Sequence, residues 1–230
     1  MAASTVLVTG ANRGLGFAVC QSLLQNGHRV IGTARKVENG ASWRHELQKY
    51  GSGKIEFLQL DVQDQSNISR AYEKIREDYK HLDCLVNNAG ILYDNGINDT
   101  SSKELMEVFR TNVMGPFMMA KQFAPLLIKS TNPKIINVTS QMGSLENSGG
   151  GFTAYRVSKT ALNSLTRNLH HDFEGDGVKV FSVCPGWVHT DMGGPRAPRT
   201  PEQGASSILY PFYNEVDSGS YLQDGKALKW

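Results

Sequence analysis

This sequence of 230 residues has few cysteines, little net charge and no long apolar run. The three cysteines, Cys20, Cys84 and Cys184, are odd in number and far apart, which argues against a disulfide framework and favours reduced thiols in the cytoplasm. A formal net charge of +2 without a basic run gives no support for nucleic acid or an anionic membrane as partner. No stretch of about 18 apolar residues is present, so we expect no membrane span.

The amino terminus also leaves little room for a targeting segment. Residues 4–9 already read as a strand that enters a glycine loop, whereas a signal peptide needs a basic start and an apolar core ahead of the fold. We therefore expect a cytoplasmic protein.

Short apolar runs alternate with helical stretches along the chain. Several runs are continuous, as in strands buried on both faces of a parallel sheet. The alternation predicts an α/β fold with a doubly wound parallel sheet, in one domain over 1–230. The predicted strands are residues 4–9, 28–34, 54–60, 82–87, 134–140 and 178–184, and the predicted helices are residues 14–26, 40–50, 65–80, 101–130, 153–174 and 202–213.

A segment rich in proline and glycine, residues 185–201, follows the last of these strands. It should lie at the carboxyl edge of the sheet, where open α/β folds bind ligands. We predict a substrate lid over residues 185–208.

Three glycines, Gly10, Gly14 and Gly16, lie between the first strand and the first helix. Glycine allows a tight turn and a close approach of a pyrophosphate, and the helix amino terminus attracts phosphate. The spacing differs from the common Gly-x-Gly-x-x-Gly fingerprint, and a glycine triad also occurs in strand–helix turns that bind nothing. Its position after the first strand favours dinucleotide binding.

The end of the second strand indicates NADP rather than NAD. An NAD site usually has an acid there for the ribose hydroxyl, whereas this strand ends at Arg35 and Lys36. Arg13, in the glycine loop, is expected to converge with Arg35 on a 2′-phosphate, which guanidinium binds bidentately. The alternative is that these charges are merely solvated.

Tyr155 and Lys159 are four residues apart, which places both on one face of a helix. An ammonium nearby lowers the pKa of a tyrosine from about 10, so we expect Tyr155 to relay protons. Ser140 ends the fifth strand and is expected to hold a carbonyl oxygen beside Tyr155. Asn112 is a polar amide within an apolar helix, which is costly unless paired, and we expect it to hold a water connected to Lys159.

The pair alone occurs often by chance on amphipathic helices. In combination with the glycine loop and Asn87-Asn88-Ala89-Gly90, however, the sequence resembles the short-chain dehydrogenase/reductases of the simple type over nearly its whole length. The resemblance implies a Rossmann sheet of about seven strands, hydride transfer with NADP(H), and a catalytic tetrad of Asn112, Ser140, Tyr155 and Lys159. It also implies that Asn88 and Gly90 contact the adenosine, and that Val188 and Thr190 contact the carboxamide. The predicted cofactor-binding residues are Gly10, Asn12, Arg13, Gly14, Leu15, Gly16, Arg35, Asp61, Val62, Asn88, Ala89, Gly90, Tyr155, Lys159, Pro185, Gly186, Val188 and Thr190.

Within that family, residues 185–192 and the terminal Trp230 resemble the carbonyl reductases. Some of those enzymes are monomers with a long insertion before the catalytic tyrosine, but here only 14 residues separate Ser140 from Tyr155. This difference favours a homodimer or homotetramer.

The expected substrate is a small-molecule ketone, aldehyde or quinone. Its expected contacts are Ser140, Gln141, Met142, Leu92, Tyr93 and Trp187, each of which core packing also explains.

Three rival functions remain open. A nucleotide-sugar epimerase uses the same tyrosine–lysine pair but needs a sizeable carboxyl-terminal domain, and only 46 residues follow the sixth predicted strand. An NADP-dependent alcohol dehydrogenase working in the oxidative direction would have the same residues. A non-catalytic NADP(H)-sensing regulator would tolerate loss of the pair, yet both residues are present.

Overall fold

A computed structural model of the chain describes residues 3–36 and 40–230. One sheet of eight strands runs through its centre in the order β3-β2-β1-β4-β5-β6-β7-β8. The first seven strands pair in parallel, and only β8 is antiparallel. The strands are β1 Thr5–Val8, β2 Arg29–Ala34, β3 Ile55–Gln59, β4 Cys84–Asn87, β5 Lys134–Val138, β6 Lys179–Val183, β7 Tyr221–Gln223 and β8 Lys226–Ala227.

Within residues 3–36 and 40–230, seven α-helices cover both faces of the sheet. They are α1 Gly14–Gln25, α2 Gly40–Leu47, α3 Gln65–Asp78, α4 Ser102–Phe109, α5 Gly115–Leu127, α6 Thr153–Phe173 and α7 Pro201–Tyr213. Alternate residues of β1 show why both faces are apolar: Val6 and Val8 pack in the core with α1 and α7, and Leu7 packs in the core with α3 and α5. This is the α/β Rossmann fold expected from the alternation of strands and helices.

The strand order places a topological switch at β1, because β2 lies on one side of it and β4 on the other. The loops that follow β1 and β4 therefore border the same crevice at the carboxyl edge of the sheet, the usual ligand position in this architecture. The loops after β5 and β6 continue along that edge.

Three predicted boundaries differ from the structure. The single helix over residues 101–130 is two helices joined by a π-helical turn at Arg110–Met114. β7 and β8 were not predicted, because strands of three and two residues carry too little periodicity. The second half of the predicted lid is the start of α7. No helix within the described ranges is long and apolar enough to cross a membrane.

Candidate active site

Helix α6 carries Tyr155 and Lys159 into the interior below the carboxyl edge of the sheet. Both side chains are buried, and Lys159 Nζ lies 5.4 Å from the centre of the Tyr155 ring. The ammonium donates a hydrogen bond of 2.8 Å to the carbonyl of Val138, the last residue of β5. Burial lowers the pKa of Lys159 to about 8.

The expected fall in the Tyr155 pKa is wrong for this arrangement. Burial raises the pKa of the phenol, and the charge on Cys184 acts in the same direction, while a hydrogen bond with Ser140 opposes them. Burial destabilises the charged phenolate more than the interaction with Ser140 stabilises it, so the pKa of Tyr155 rises. Tyr155 is therefore protonated at neutral pH in this structure.

Ser140 follows β5 and faces Tyr155, as predicted. Its backbone is extended, and its Oγ accepts a hydrogen bond of 3.2 Å from the Met142 amide at the start of a short 3-10 turn, Gln141–Gly143. Thr160 Oγ1 and Asn163 Nδ2, both on α6, donate to the carbonyl of Gly143 at 3.0 and 3.2 Å. The turn that follows Ser140 is thus fixed to the helix that carries Tyr155.

Asn112 lies in the π-helical turn between α4 and α5 and is fully buried. Its Oδ1 accepts from the Ile91 amide at 2.9 Å, while Nδ2 donates to the Ile91 carbonyl and to Ser158 Oγ, each at 3.0 Å. The burial cost is therefore offset by direct pairing of the side chain with the loop after β4 and with Ser158, and the expected water stays a prediction. π-Turns of this kind often occur at functional sites.

The glycine loop has the shape that a pyrophosphate cradle requires. Gly10 has a φ of +63°, and a Cβ on Gly16 would lie 2.2 Å from the Gly10 carbonyl oxygen. Asn88 Nδ2 donates to the carbonyls of Thr9 and Gly10 at 2.9 and 3.1 Å. The loop is thus held from the end of β4 with backbone free to approach a ligand, and α1 begins at Gly14.

The two arginines occupy different surroundings. Arg13 and Asp191 of the lid, both largely exposed, form an ion pair of 2.5 Å. Arg35 is exposed directly after β2, and its carbonyl accepts a hydrogen bond from Gln59 Nε2 at 3.0 Å. Their convergence on a 2′-phosphate stays a prediction, and in this structure Arg13 contacts the lid.

The other predicted cofactor residues line the same edge of the sheet or the lid. Asp61 Oδ1 accepts from the Gln63 amide at 2.9 Å and closes the turn after β3, where Val62 is buried against Gly115. A Cβ on Gly90 would lie 3.8 Å from Lys159 Nζ. Ala89, Leu15, Gly186 and Thr190 are partly buried, Pro185 and Val188 are buried, and Asn12 is exposed.

The predicted substrate residues differ in how exposed they are and in whether their polar groups are already hydrogen-bonded. Trp187 is 55% exposed, and its ring nitrogen donates to the Gly193 carbonyl at 2.8 Å. Tyr93 donates to Glu107 Oε2 at 3.1 Å, so its hydroxyl is already paired. Gln141 is exposed, while Met142 and Leu92 are partly buried.

Comparison with known proteins identifies the family. The family model described as short chain dehydrogenase matches residues 4–200. The chain belongs to the short-chain dehydrogenase family. Among relatives, the 3-oxoacyl-(acyl-carrier-protein) reductase of Escherichia coli K12 is 35% identical over 186 residues, which are 81% of this chain and 74% of that protein. Carbonyl reductase (NADPH) 1 of Sus scrofa is 31% identical over 274 aligned positions, covering 97% of this chain and 93% of that protein.

Solved structures of the family agree with this assignment. The NADPH-bound carbonyl reductase from chicken fatty liver has a TM-score of 0.90 and 31% identity, with 100% of both chains covered. The carbonyl reductase Sniffer of D. melanogaster has a TM-score of 0.91 and 32% identity, covering 99% of this chain and 100% of that one. The pig alignment is longer than this chain of 230 residues, so that relative contains segments absent here.

Three residues of this short-chain dehydrogenase join the site without having been predicted. Ser158 accepts from Asn112 and donates to the Tyr155 carbonyl at 2.7 Å. Cys184 Sγ accepts from the amides of Gln141 and Gly186 at 3.3 and 3.4 Å. Tyr221 donates to the Ser140 carbonyl at 2.7 Å. Only Ser158 had a sequence signal, because it lies between Tyr155 and Lys159 on α6.

Proposed function

We propose that this protein is an NADPH-dependent carbonyl reductase in which Tyr155 is the general acid. The observation that carries the proposal is the cluster of Ser140, Tyr155 and Lys159 at the carboxyl edge of the sheet, in which both ionisable side chains are buried and Lys159 Nζ lies 5.4 Å from the centre of the Tyr155 ring. A general acid must hold its proton at the working pH, and burial keeps the Tyr155 phenol protonated.

The glycine loop supports dinucleotide binding, since Gly10 adopts a positive φ and the loop leads directly into the amino terminus of α1. When bound, NADPH supplies a hydride to the substrate carbon. Ser140 then holds the carbonyl oxygen through its hydroxyl, and Tyr155 transfers its proton to that oxygen. Lys159 stabilises the resulting phenolate, because its ammonium lies 5.4 Å from the ring centre.

NADPH is favoured over NADH by the charges at the end of β2. The exposed Arg35 and Lys36 follow the strand where an NAD site usually has an acid. Arg13 faces the same crevice from the glycine loop once it leaves Asp191, and a 2′-phosphate would compete for its guanidinium. The relatives named for NADPH are consistent with this choice.

Reduction is favoured over the rival functions. An oxidising dehydrogenase would use the same tyrosine as its base, so the choice of reduction rests on the proposed pairing with NADPH, which cells keep largely reduced. The described residues after β6 form the lid, α7 and the small strands β7 and β8 rather than the substrate domain of an epimerase. A regulator without catalysis gives no reason to keep Lys159 buried, because burying an ammonium group costs free energy.

The substrate that fits the crevice is an apolar or aromatic ketone, aldehyde or quinone. Large apolar side chains are exposed on two loops at the carboxyl edge: Trp187 and Met192 on the lid, and Leu145 after β5. Exposed apolar groups grouped around a polar cluster indicate a ligand of the same character.

A homodimer or homotetramer is proposed for the same chain. Met106 on α4, Met114 in the π-helical turn, Phe117 on α5 and Val157 on α6 are each at least 40% exposed. Helix faces of this kind pair readily with a second copy. Light scattering on the purified protein tests this, and a monomer at micromolar concentration would contradict it.

The expected cytoplasmic location stays a prediction that cell fractionation tests.

The experiment for the function is a panel of ketones, aldehydes and quinones, with NADPH oxidation followed by absorbance. We expect turnover of at least one apolar carbonyl, and a higher kcat/KM for NADPH than for NADH. Equal or faster turnover with NADH would contradict the cofactor assignment. Failure of every carbonyl, in a protein that binds NADPH, would contradict the reductase proposal.

A further inference from the structure

The last ten residues of the chain pack against the candidate active site. We define the carboxyl-terminal hairpin as residues 221–230, comprising β7, the Asp224–Gly225 turn, β8 and the tail to Trp230. We propose that this hairpin is a positioning element that fixes both the turn carrying Ser140 and the substrate lid. The inference rests on the proposed function of the site, and its residues touch no reacting atom.

The first contact is made by Tyr221. Its hydroxyl donates a hydrogen bond of 2.7 Å to the carbonyl of Ser140, which also accepts from the Gly143 amide at 2.8 Å. The Tyr221 ring is buried, and the Trp230 ring packs on it with 5.2 Å between centres. Tyr221 therefore holds the main chain of Ser140 from β7.

The hairpin also contacts the residues that follow Ser140. Gln141 Nε2 donates to Gln223 Oε1 at 3.1 Å. The Glu146 amide donates to the carbonyl of Trp230 at 3.3 Å, and its carboxylate pairs with Lys229 Nζ at 2.5 Å. Contacts at positions 140, 141 and 146 mean that the hairpin fixes the whole loop rather than one residue.

A second set of contacts reaches the lid. Both terminal guanidinium nitrogens of Arg199 donate to the Asp224 carboxylate, at 2.8 and 2.7 Å. The Arg199 main chain donates to the Trp187 carbonyl at 3.3 Å and accepts from the His189 amide at 2.8 Å. Asp224 thus holds the lid segment that bonds to the main chain of the predicted substrate residue Trp187.

The Asp224–Gly225 turn has an unusual backbone conformation and is hydrogen-bonded to α7. Asp224 has a φ of +51°, an uncommon value for a residue other than glycine, and its amide donates to Ser207 Oγ at 2.9 Å. Ser207 in turn donates to the Cys184 carbonyl at 2.9 Å, at the end of β6. The hairpin therefore connects Ser140, the lid and β6, and movement of one is coupled to the others.

The test compares Tyr221→Phe with Tyr213→Phe. Phenylalanine at 221 keeps the ring on Trp230 and removes the hydroxyl that bonds to Ser140, whereas the buried Tyr213 hydroxyl has no hydrogen-bond partner among the described residues. Amide exchange over residues 140–146, measured without NADPH, should rise about fivefold in Tyr221→Phe and stay unchanged in Tyr213→Phe. In turnover, kcat should fall about fivefold with the KM for NADPH unchanged.

A lid variant keeps the inference testable if Tyr221→Phe folds poorly. Asp224→Asn tolerates the positive φ but loses the charge, so exchange over residues 186–200 should rise while the unfolding midpoint changes little. Exchange in Tyr221→Phe equal to that in Tyr213→Phe would overturn the inference, as would a fall in kcat without a change in exchange. If the wild-type protein reduces no carbonyl, the proposed function fails, and the exchange measurements still decide this inference.

Discussion

The side-chain amide of Asn112 closes a two-bond ring with the main chain of Ile91. Oδ1 accepts from the Ile91 amide at 2.9 Å, and Nδ2 donates to the Ile91 carbonyl at 3.0 Å. The second proton of Nδ2 goes to Ser158, which donates to the Tyr155 carbonyl. The loop after β4, which borders the crevice, is thereby joined to the helix of the candidate catalytic pair.

Replacing Asn112 by alanine should destabilise the protein. The Ile91 amide and carbonyl would lose their partners inside the fold, and we expect the free energy of unfolding to fall by about 2 kcal/mol or more. Urea denaturation measures this, with Asn98→Ala at an exposed loop position as control. A free energy of unfolding within about 0.5 kcal/mol of that of the control would show that the Asn112 hydrogen bonds to Ile91 do not stabilise the fold.

Gly16→Ala should impair the glycine loop. A Cβ there would overlap the Gly10 carbonyl oxygen at 2.2 Å, so the cradle must open. We expect the Kd for NADPH, measured by fluorescence, to rise about tenfold or more. Gly175→Ala is the matched control, because a Cβ there meets nothing within 4 Å. Equal affinity in the two variants would place the cofactor elsewhere.

Arg35→Asp tests the cofactor assignment. The change removes an exposed cation after β2 and introduces the acid that favours an unphosphorylated ribose. The Kd for NADPH should rise about tenfold or more while that for NADH stays the same or falls. Lys74→Asp, on an exposed position of α3, makes the same charge change far from the site. A similar loss in both variants would mean that only net charge matters.

Stability should depend on pH through Lys159. Burial lowers its pKa from 10.5 to about 8, so between these values the unfolded chain binds more protons at this site than the folded chain. The contribution of Lys159 to the free energy of unfolding therefore rises with pH from about 8 to 10.5, by at most about 1.4 kcal/mol per pH unit. Below pH 8 both states hold the proton and the cost of burial is complete.

The measurement is urea denaturation of the wild type and Lys159→Met at several values between pH 7 and pH 10, with about equal spacing. The free energy of the wild type relative to the variant should increase with pH above about 8. Lys121→Met on α5, at an exposed position, should show no such trend. A constant difference between wild type and Lys159→Met would mean that Lys159 has an ordinary pKa in the folded protein.

The fold and the main cluster of the site could be predicted because their signals are local. Continuous apolar runs marked the six longer strands, and the spacing of Tyr155 and Lys159 placed them on one face of α6. The contact between Tyr221 and Ser140 joins residues 81 positions apart and depends on how β7 adds to the sheet. A strand of three residues has no pattern from which that addition could be foreseen.

One prediction failed because of the environment of the side chain. The pKa of Tyr155 was expected to fall because a lysine lies one turn away, but burial raises it. The depth of a side chain does not follow from spacing along the chain.

The most direct measurement is NADPH-dependent carbonyl reduction by Tyr155→Phe, with Tyr213→Phe as control. Phenylalanine at 155 keeps the ring and removes the proton that we propose is transferred, so kcat should fall by about 100-fold or more while NADPH binding and the unfolding midpoint persist. Tyr213→Phe should keep wild-type activity. A Tyr155→Phe protein that reduces the same carbonyl at the rate of the control would contradict the account.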